Sequence, residues 1–251
     1  MGKIGYISDL HIDIWKDEYK EFNDDIFFNK LVANTEGIDS ITSLIIAGDV
    51  SNKNKDTIEF LKRVFKYTNI KKVFIQDGNH EYYLNQNRPN NRFKDLVSEC
   101  SKLFGENVIV LNQFSGIHNI EDKTIAGANI WYNVEDKNIE YSFLNVMNDS
   151  LFVTKEWVSK QNKLAKEFYN KVINDVDIFV SHVPFVLTDY SAQFINNDCY
   201  YTPMSLYKKK IYIFGHSHTI LDKYQDRARV LFNTVGYPNE NATQDISIKT
   251  I

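Results

Sequence analysis

Apolar and polar positions fall into blocks along the first part of the chain. "KIGYIS", "SLIIAG" and "KKVFIQ" are short and almost uninterrupted apolar runs, whereas "DDIFFNKLVANT" and "KDTIEFLKRVFKYT" between them carry apolar residues at helical spacing. From Lys55 to Thr68, Ile58, Leu61, Val64 and Phe65 share one face and charges take the other, the pattern of a helix packed on one side. Buried strands alternating with one-sided helices predict β-α-β units around a mainly parallel sheet.

Farther along, "NRFKDLVSECSKLF" predicts another helix, and "NVIVLN", "GIHNI" and "TIAGANIW" predict a second group of strands separated by turn residues. Residues 154–174 form the longest helical pattern, with Trp157, Leu164, Phe168 and Val172 at helical spacing. "DIFVS" and "KIYIFG" read as strands, followed by the C-terminal pieces "ILDKYQ", "RVLFNT" and "ISIKTI". A second sheet covering the first is expected. There is no repeat, linker or boundary, so residues 1–251 are read as one domain. The stretch 184–205 is long and weakly periodic, either a loop serving a site or a plain surface excursion.

Composition narrows the function classes. Hydrophobic residues make up 43% and charged residues 25% of the 251, ordinary globular values. A net charge of −4 argues against a broadly basic nucleic-acid surface, and the one basic run, Lys208 to Lys210, reads as a solvated face. Cys100 and Cys199 lie far apart, which disfavours a disulfide framework or thiolate metal site and fits a reducing cytoplasm. The N-terminal apolar run is broken by Asp9 and His11, unlike a signal peptide, and no segment approaches the ~20 apolar residues of a membrane span. A cytoplasmic protein without membrane association is expected, and oligomeric state is not legible.

The chemistry lies where the apolar runs end. "IGYIS" leads into Asp9 and His11, "LIIAG" into Asp49, "VFIQDG" into Asn79 and His80, "IFVS" into His182, and "IYIFG" into His216 and His218. In open α/β sheets ligands collect outside the carboxyl ends of the strands, so residues remote in sequence can converge there. If the pairs Asp9/His11 and His216/His218 sit in extended backbone, the i and i+2 side chains point the same way. Gly48, Gly78 and Gly215 would let the chain turn sharply as it leaves each strand. A lone histidine is usually structural, and His118 in "GIHNI" keeps that reading. The other five histidines share one repeated context, which favours a common metal site.

The motifs "SDLH", "GDV", "GNHE", "SHVP" and "GHSH", in this order from Asp9 to His218, resemble the calcineurin-like metallophosphoesterase superfamily. Together they are highly specific and span most of the chain. The resemblance implies a four-layer α/β/β/α sandwich of two mixed sheets flanked by helices, with a dinuclear metal site. Carried over motif by motif, one ion would take Asp9, His11, Asp49 and His218, and the other Asp49, Asn79, His182 and His216, with Asp49 bridging. Imidazole and oxygen donors suit Mn, Fe or Zn. Two divalent ions would outweigh the charge of Asp9 and Asp49 and attract a phosphate ester, which an activated hydroxide would attack in line. His80 resembles the family's non-ligand histidine, which would protonate the leaving oxygen or stabilise the phosphoryl charge, against the plain reading that it caps the turn; Glu81 and Asp77 are candidates to orient it.

Two departures shape the expected substrate. Protein phosphatases of the superfamily carry "GDxxDRG", whereas this chain has "GDVSNKN", with Asn52 in place of the second Asp, which disfavours a phosphoprotein. Asp77 before "GNHE" is unusual, and reads either as an extra carboxylate near the second ion or as a solvated turn residue. The pattern looks closer to small bacterial or phage-type members. Trp131 and Tyr132 are placed either beside the cleft or in the core, and Tyr82, Tyr83, Tyr190, Tyr200 and Tyr201 are candidate pocket residues. The expected function is hydrolysis of a small or nucleotide-like phosphate mono- or diester. A metal-dependent nuclease, or a scaffold that keeps the fold without catalysis, are the competing readings.

Overall fold

Strands β1 (Lys3–Ile7), β2 (Ile41–Ala47), β3 (Lys72–Gln76) and β4 (Val108–Leu111) pair in parallel in that order, and β11 (Lys249–Thr250) joins β1 antiparallel. The second sheet runs β5 (His118–Ile120), β6 (Lys123–Gly127), β7 (Ile178–Val180), β8 (Ile211–Phe214), β10 (Ala228–Asn233), β9 (Ile220–Gln225). Its four inner strands are parallel, and β5 and β9 flank them antiparallel. Both sheets are therefore mixed. The computed structural model describes residues 2–19, 22–83, 89–188, 198–241 and 246–251, with side chains left out at 89–91, 198 and 241.

Period-2 alternation divides each strand between two cores. Ile4 and Tyr6 of β1, Ile45 and Ala47 of β2 and Phe74 of β3 meet Ile125, Ile178, Val180, Ile213 and Leu231 of the other sheet in one shared cluster. The opposite face of the first sheet, with Leu44, Ile46, Val73 and Ile75, packs on helices α2 (Asp24–Asn34), α3 (Asn54–Tyr67) and α4 (Pro89–Phe104). On the second sheet Phe179, Tyr212, Phe214, Val230 and Phe232 pack on α6 (Lys155–Val172) through Ala165, Tyr169 and Val172. Helix, sheet, sheet and helix are the four layers of the expected sandwich. Strands buried on both faces read as continuous apolar runs, which is why these were visible in the sequence.

Helix starts follow local chemistry. The Asn23 side chain accepts from the backbone N–H groups of Asp25 and Ile26, and Thr154 accepts from Trp157, caps worth about 1 kcal/mol each. Among the described residues three helices lacked a clear pattern: α1 (Ile12–Glu18), of one to two turns, α5 (Lys137–Asn145) and the short Pro238–Asn241. "TIAGANIW" is a strand only as far as Gly127, where pairing with Val180 ends, and "ISIKTI" pairs only at Lys249–Thr250. Among the described residues no helix is long and apolar enough to cross a membrane.

Candidate metal centre

β1, β2 and β3 of one sheet and β7 and β8 of the other end on the same side, and each is followed within four residues by an ionisable or amide side chain. Asp9, His11, Asp49, Asn79, His80, His182 and His216 are all buried. The loops are stitched together by backbone: Asp9 N–H donates to Gly48 O (3.0 Å), His11 N–H to Asp49 O (3.1 Å) and Ile12 N–H to Val50 O (3.0 Å). Two carboxylates anchor other loops, since His80 N–H donates to Asp49 Oδ1 and His216 N–H to Asp9 Oδ1, each at 2.9 Å.

The backbone differs from the extended pairs that the spacing suggested. Asp9 (φ 53°), His11 (44°), Asp49 (55°), His216 (66°) and His218 (35°) are all left-handed. Such non-glycine residues cost energy and persist where surrounding structure holds them, commonly at functional sites. Convergence thus comes from left-handed kinks rather than i, i+2 alternation. The glycines also act differently from expectation: of Gly48, Gly78 and Gly215, Gly48 alone has a positive φ (89°). A Cβ on Gly78 would lie 2.1 Å from Asp49 Oδ1, and one on Gly215 would lie 2.7 Å from Asp9 Oδ2 and 2.8 Å from His182 Nδ1. These two glycines make room for ligand-type side chains.

Asp49 Oδ2 is the hub, with His182 Nε2 at 3.2 Å and the Nε2 atoms of His11 and His80 each at 3.9 Å. Asp9 Oδ1 lies 3.7 Å from His218 Nε2 and 3.9 Å from His182 Nε2. His11 Nε2 and His218 Nε2 face each other at 3.1 Å, while Asp9 Oδ2 and His11 Nδ1 are buried without a hydrogen-bond partner. Buried polar atoms normally have partners. Clustered imidazole and carboxylate atoms with partners missing are what a divalent cation would satisfy, and Asp9/His11/His218, Asp9/Asp49/His182 and His11/Asp49/His80 form three such groups.

The second ring nitrogen of three histidines is already committed. His182 Nδ1 lies 2.8 Å from Ala47 O, and His216 Nε2 lies 3.2 Å from Cys199 O. Carbonyl oxygens only accept, so these nitrogens carry hydrogen, and in His182 the opposite nitrogen, Nε2, faces Asp49 Oδ2. His218 Nδ1 contacts Glu240 Oε2 at 2.5 Å in the same sense. Burial opposes charge on His182, but Asp49 and Asp9 outweigh it and raise the ring to about 10. Burial, then His182, pushes His216 down to about 3, and burial lowers His80 and His11. Burial raises Asp9; against burial, the surrounding imidazoles hold Asp49 well below the usual carboxylate range. A cation competes with the His182 proton for these carboxylates, so its binding would release protons.

His80 is oriented by a residue that the sequence flagged only as a departure. His80 Nδ1 lies 2.9 Å from Asn52 Oδ1, and the hydroxyl of Tyr237 lies 3.3 Å from His80 Nε2. Asn52 is placed through Asp13, whose Oδ1 accepts from the Ser51 hydroxyl and the Asn52 N–H, each at 3.0 Å. Glu81 instead accepts three backbone N–H groups, from Asp49 (3.0 Å), Val50 (2.9 Å) and Gly78 (2.7 Å). Asp77 is no solvated turn residue: it is buried, accepting from the Tyr82 hydroxyl (2.7 Å) and the Gln76 amide, and burial pushes it up to about 6.

A cleft of about 190 Å³ opens on Asp49, Asn79, His80, His216 and His218, with Tyr83, Tyr200 and Tyr237 on its walls. Trp131 and Tyr132 are core residues, packed with Tyr82, Phe143 and Val158. Tyr201 is not among the cleft residues, and Tyr190 lies outside the described residues. The described end of the 184–205 stretch does reach the site, through Cys199 O and Tyr200. His118 is on β5, 6.3 Å from the Phe74 ring, away from the cluster. Lys210 is tied to the carbonyls of Asn174 and Val176.

Among solved structures, the chain is similar to a phosphopantetheinyl hydrolase from Mycobacterium tuberculosis, at 16% identity and TM-score 0.67, over 100% of this chain and 95% of that one. A protein of unknown function from Aquifex aeolicus (15% identity, TM-score 0.37, 75% and 82% covered) and vacuolar protein sorting 29 from Cryptosporidium parvum (13%, 0.38, 94% and 74%) also match. No curated protein sequence matches. The first of these likenesses supports the fold alone. The sequence model for calcineurin-like phosphoesterases matches residues 2–219, and the chain belongs to that family.

Proposed function

We propose that this protein is a dinuclear, divalent-metal phosphoester hydrolase acting on a small mono- or diester. The observation that carries the reading is the set of imidazole nitrogens around Asp49 Oδ2 and Asp9 Oδ1, with His182, His216 and His218 each held by a hydrogen bond from one ring nitrogen to an oxygen outside the cluster. Asp9, His11, Asp49 and His218 would hold one ion, and Asp49, Asn79, His182 and His216 the other; Mn, Fe or Zn suit these donors. Ions held there supply Lewis-acid polarisation of the phosphoryl group and acidify water.

The remaining roles fall to the chain itself. Asn52 accepts from His80 Nδ1–H, which aims His80 Nε2 at the cleft. In the resting site burial keeps this imidazole neutral, with the Tyr237 hydroxyl donating to Nε2. An anionic ester beside it favours uptake of a proton from solvent at Nε2, giving the imidazolium, which then passes that proton to the leaving oxygen. Tyr83, Tyr200 and Tyr237 supply aromatic walls against which a substrate can pack.

Size and charge favour a small substrate. The cleft opens into an outer hollow of about 500 Å³ that shares His80, Tyr83, Asn148 and Tyr237 with it, enough for a leaving group of nucleoside size. Among the described residues lining either space there is no Lys or Arg. Polynucleotide binding rests on phosphate contacts from such side chains, so a nuclease is the poorer fit. Hydrolysis of bis-p-nitrophenyl phosphate and p-nitrophenyl phosphate with added Mn tests the reading. Turnover that disappears with chelator supports it; no turnover on either, with ions bound, would favour a binding scaffold.

A further inference from the structure

Asp149 belongs to none of the strand-end motifs, yet it is fully buried, in the single turn Asn148–Leu151. A buried carboxylate is costly unless donors surround it. Here the Tyr83 hydroxyl donates to Oδ1 at 2.6 Å, Asn79 Nδ2 donates to the same oxygen at 3.0 Å, and the Tyr132 hydroxyl donates to Oδ2. Tyr83 Oη also lies 3.0 Å from Asn79 Nδ2.

This arrangement decides which way the Asn79 amide points. Oxygen and nitrogen of an amide have nearly the same shape, and hydrogen bonds choose between the two orientations. Asp149 Oδ1 already accepts the Tyr83 hydroxyl, and an accepting oxygen is met by a donor, so the Asn79 atom facing it is the NH2 group. The carbonyl Oδ1 is then turned inward, 3.1 Å from His182 Nε2, where it can serve a cation. Without Asp149 the amide could flip and present N–H groups to a positive ion.

We propose that Asp149 is a positioning residue for cation binding, acting through Asn79. The inference rests on the reading of this cluster as a divalent-cation site. It has a second consequence, because Met147 and Asn148 beside Asp149 line the cleft. One carboxylate thus ties a wall of the substrate cleft to a metal ligand, and holds Tyr83, whose ring lies 4.3 Å from that of His80.

The test is a double-mutant cycle read by Mn titration calorimetry on chelator-stripped protein, without substrate. Asp149→Asn should weaken Mn binding at one of the two sites ~10- to 100-fold, the usual effect of removing a partner that orients a ligand. Asn79→Ala should weaken it at least as much, and the double variant no further than Asn79→Ala alone. Unchanged Mn affinity in Asp149→Asn, or losses that multiply in the double variant, would overturn the proposal and leave Asp149 a packing residue. Melting curves of the stripped proteins show whether each variant folds. If Asp149→Asn does not, Tyr132→Phe replaces it, removing one of the three donors while keeping the ring. A loss of Mn affinity that vanishes in the Asn79→Ala background supports the proposal, and equal affinity overturns it. Wild-type protein that takes up no Mn would overturn the cation-site reading itself.

Discussion

Replacing Glu81 by Gln is a measured disturbance of the loops that carry Asp49 and Asn79. Glu81 Oε2 accepts the N–H groups of Asp49 and Gly78, and Oε1 accepts that of Val50. Glutamine keeps one accepting oxygen and sets an NH2 group where the other stood. If the amide turns to keep the two bonds of Oε2, the Val50 N–H faces another donor and is left buried and unsatisfied, at a cost of about 1–3 kcal/mol. At about 2–4 °C per kcal/mol for a chain of this size, the melting temperature should fall by about 2–12 °C. Glu81→Ala would strand all three N–H groups, about 3–9 kcal/mol, against a total stability of about 5–15 kcal/mol, and is expected to fold poorly. The melt should be recorded on chelator-stripped protein, because bound ions would add stability by mass action. A Glu81→Gln melting temperature equal to wild type would refute the argument that these three bonds clamp the loops.

Gly78→Ala should sharply weaken metal binding in a folded protein, because its Cβ would stand 2.1 Å from Asp49 Oδ1; unchanged metal content by elemental analysis would contradict this. His80→Ala should slow turnover about 10²–10⁴-fold with metal content largely intact, whereas Asn52→Ala should slow it less and alter its pH profile; equal metal loss in His80→Ala would contradict its role. Asp77 has a folded-state value of about 6 against an ordinary 3.8, so its contribution to stability is full below the ordinary value and lost as pH rises through about 6. Chelator-stripped wild type should therefore lose stability relative to Asp77→Asn across that window, by up to about 3 kcal/mol in denaturant titrations.

Much of this arrangement was legible because one physical pattern repeats. A strand buried on both faces leaves a continuous apolar signature, and at β1, β2, β3, β7 and β8 that signature stops just before a ligand-type side chain. The reason the paired residues converge was not legible: left-handed backbone at Asp9, His11, His216 and His218 depends on the neighbouring loops that hold it. Asp149 and Glu240 left no trace, and Asn52 stood out only as a departure from a motif, since each sits in or beside a short turn without periodicity and acts on a residue remote in sequence. Of the two readings of Asp77, the solvated turn fails: a carboxylate next to glycine resembles a turn, while its hydrogen bonds from Tyr82 and Gln76 are apparent only in three dimensions. Trp131 and Tyr132 follow a strand in sequence, but their rings belong to the core packed around Phe143 and Val158.

The central claim is that one buried carboxylate, Asp49, joins two cations into a single hydrolytic site. Metal stoichiometry measured alongside bis-p-nitrophenyl phosphate hydrolysis, for wild type and Asp49→Asn reconstituted with Mn, tests it most directly. Wild type should hold two ions per chain and hydrolyse the ester, while Asp49→Asn should lose both ions and activity together. An Asp49→Asn protein that keeps two ions, or wild-type hydrolysis undiminished by chelator, would contradict the account.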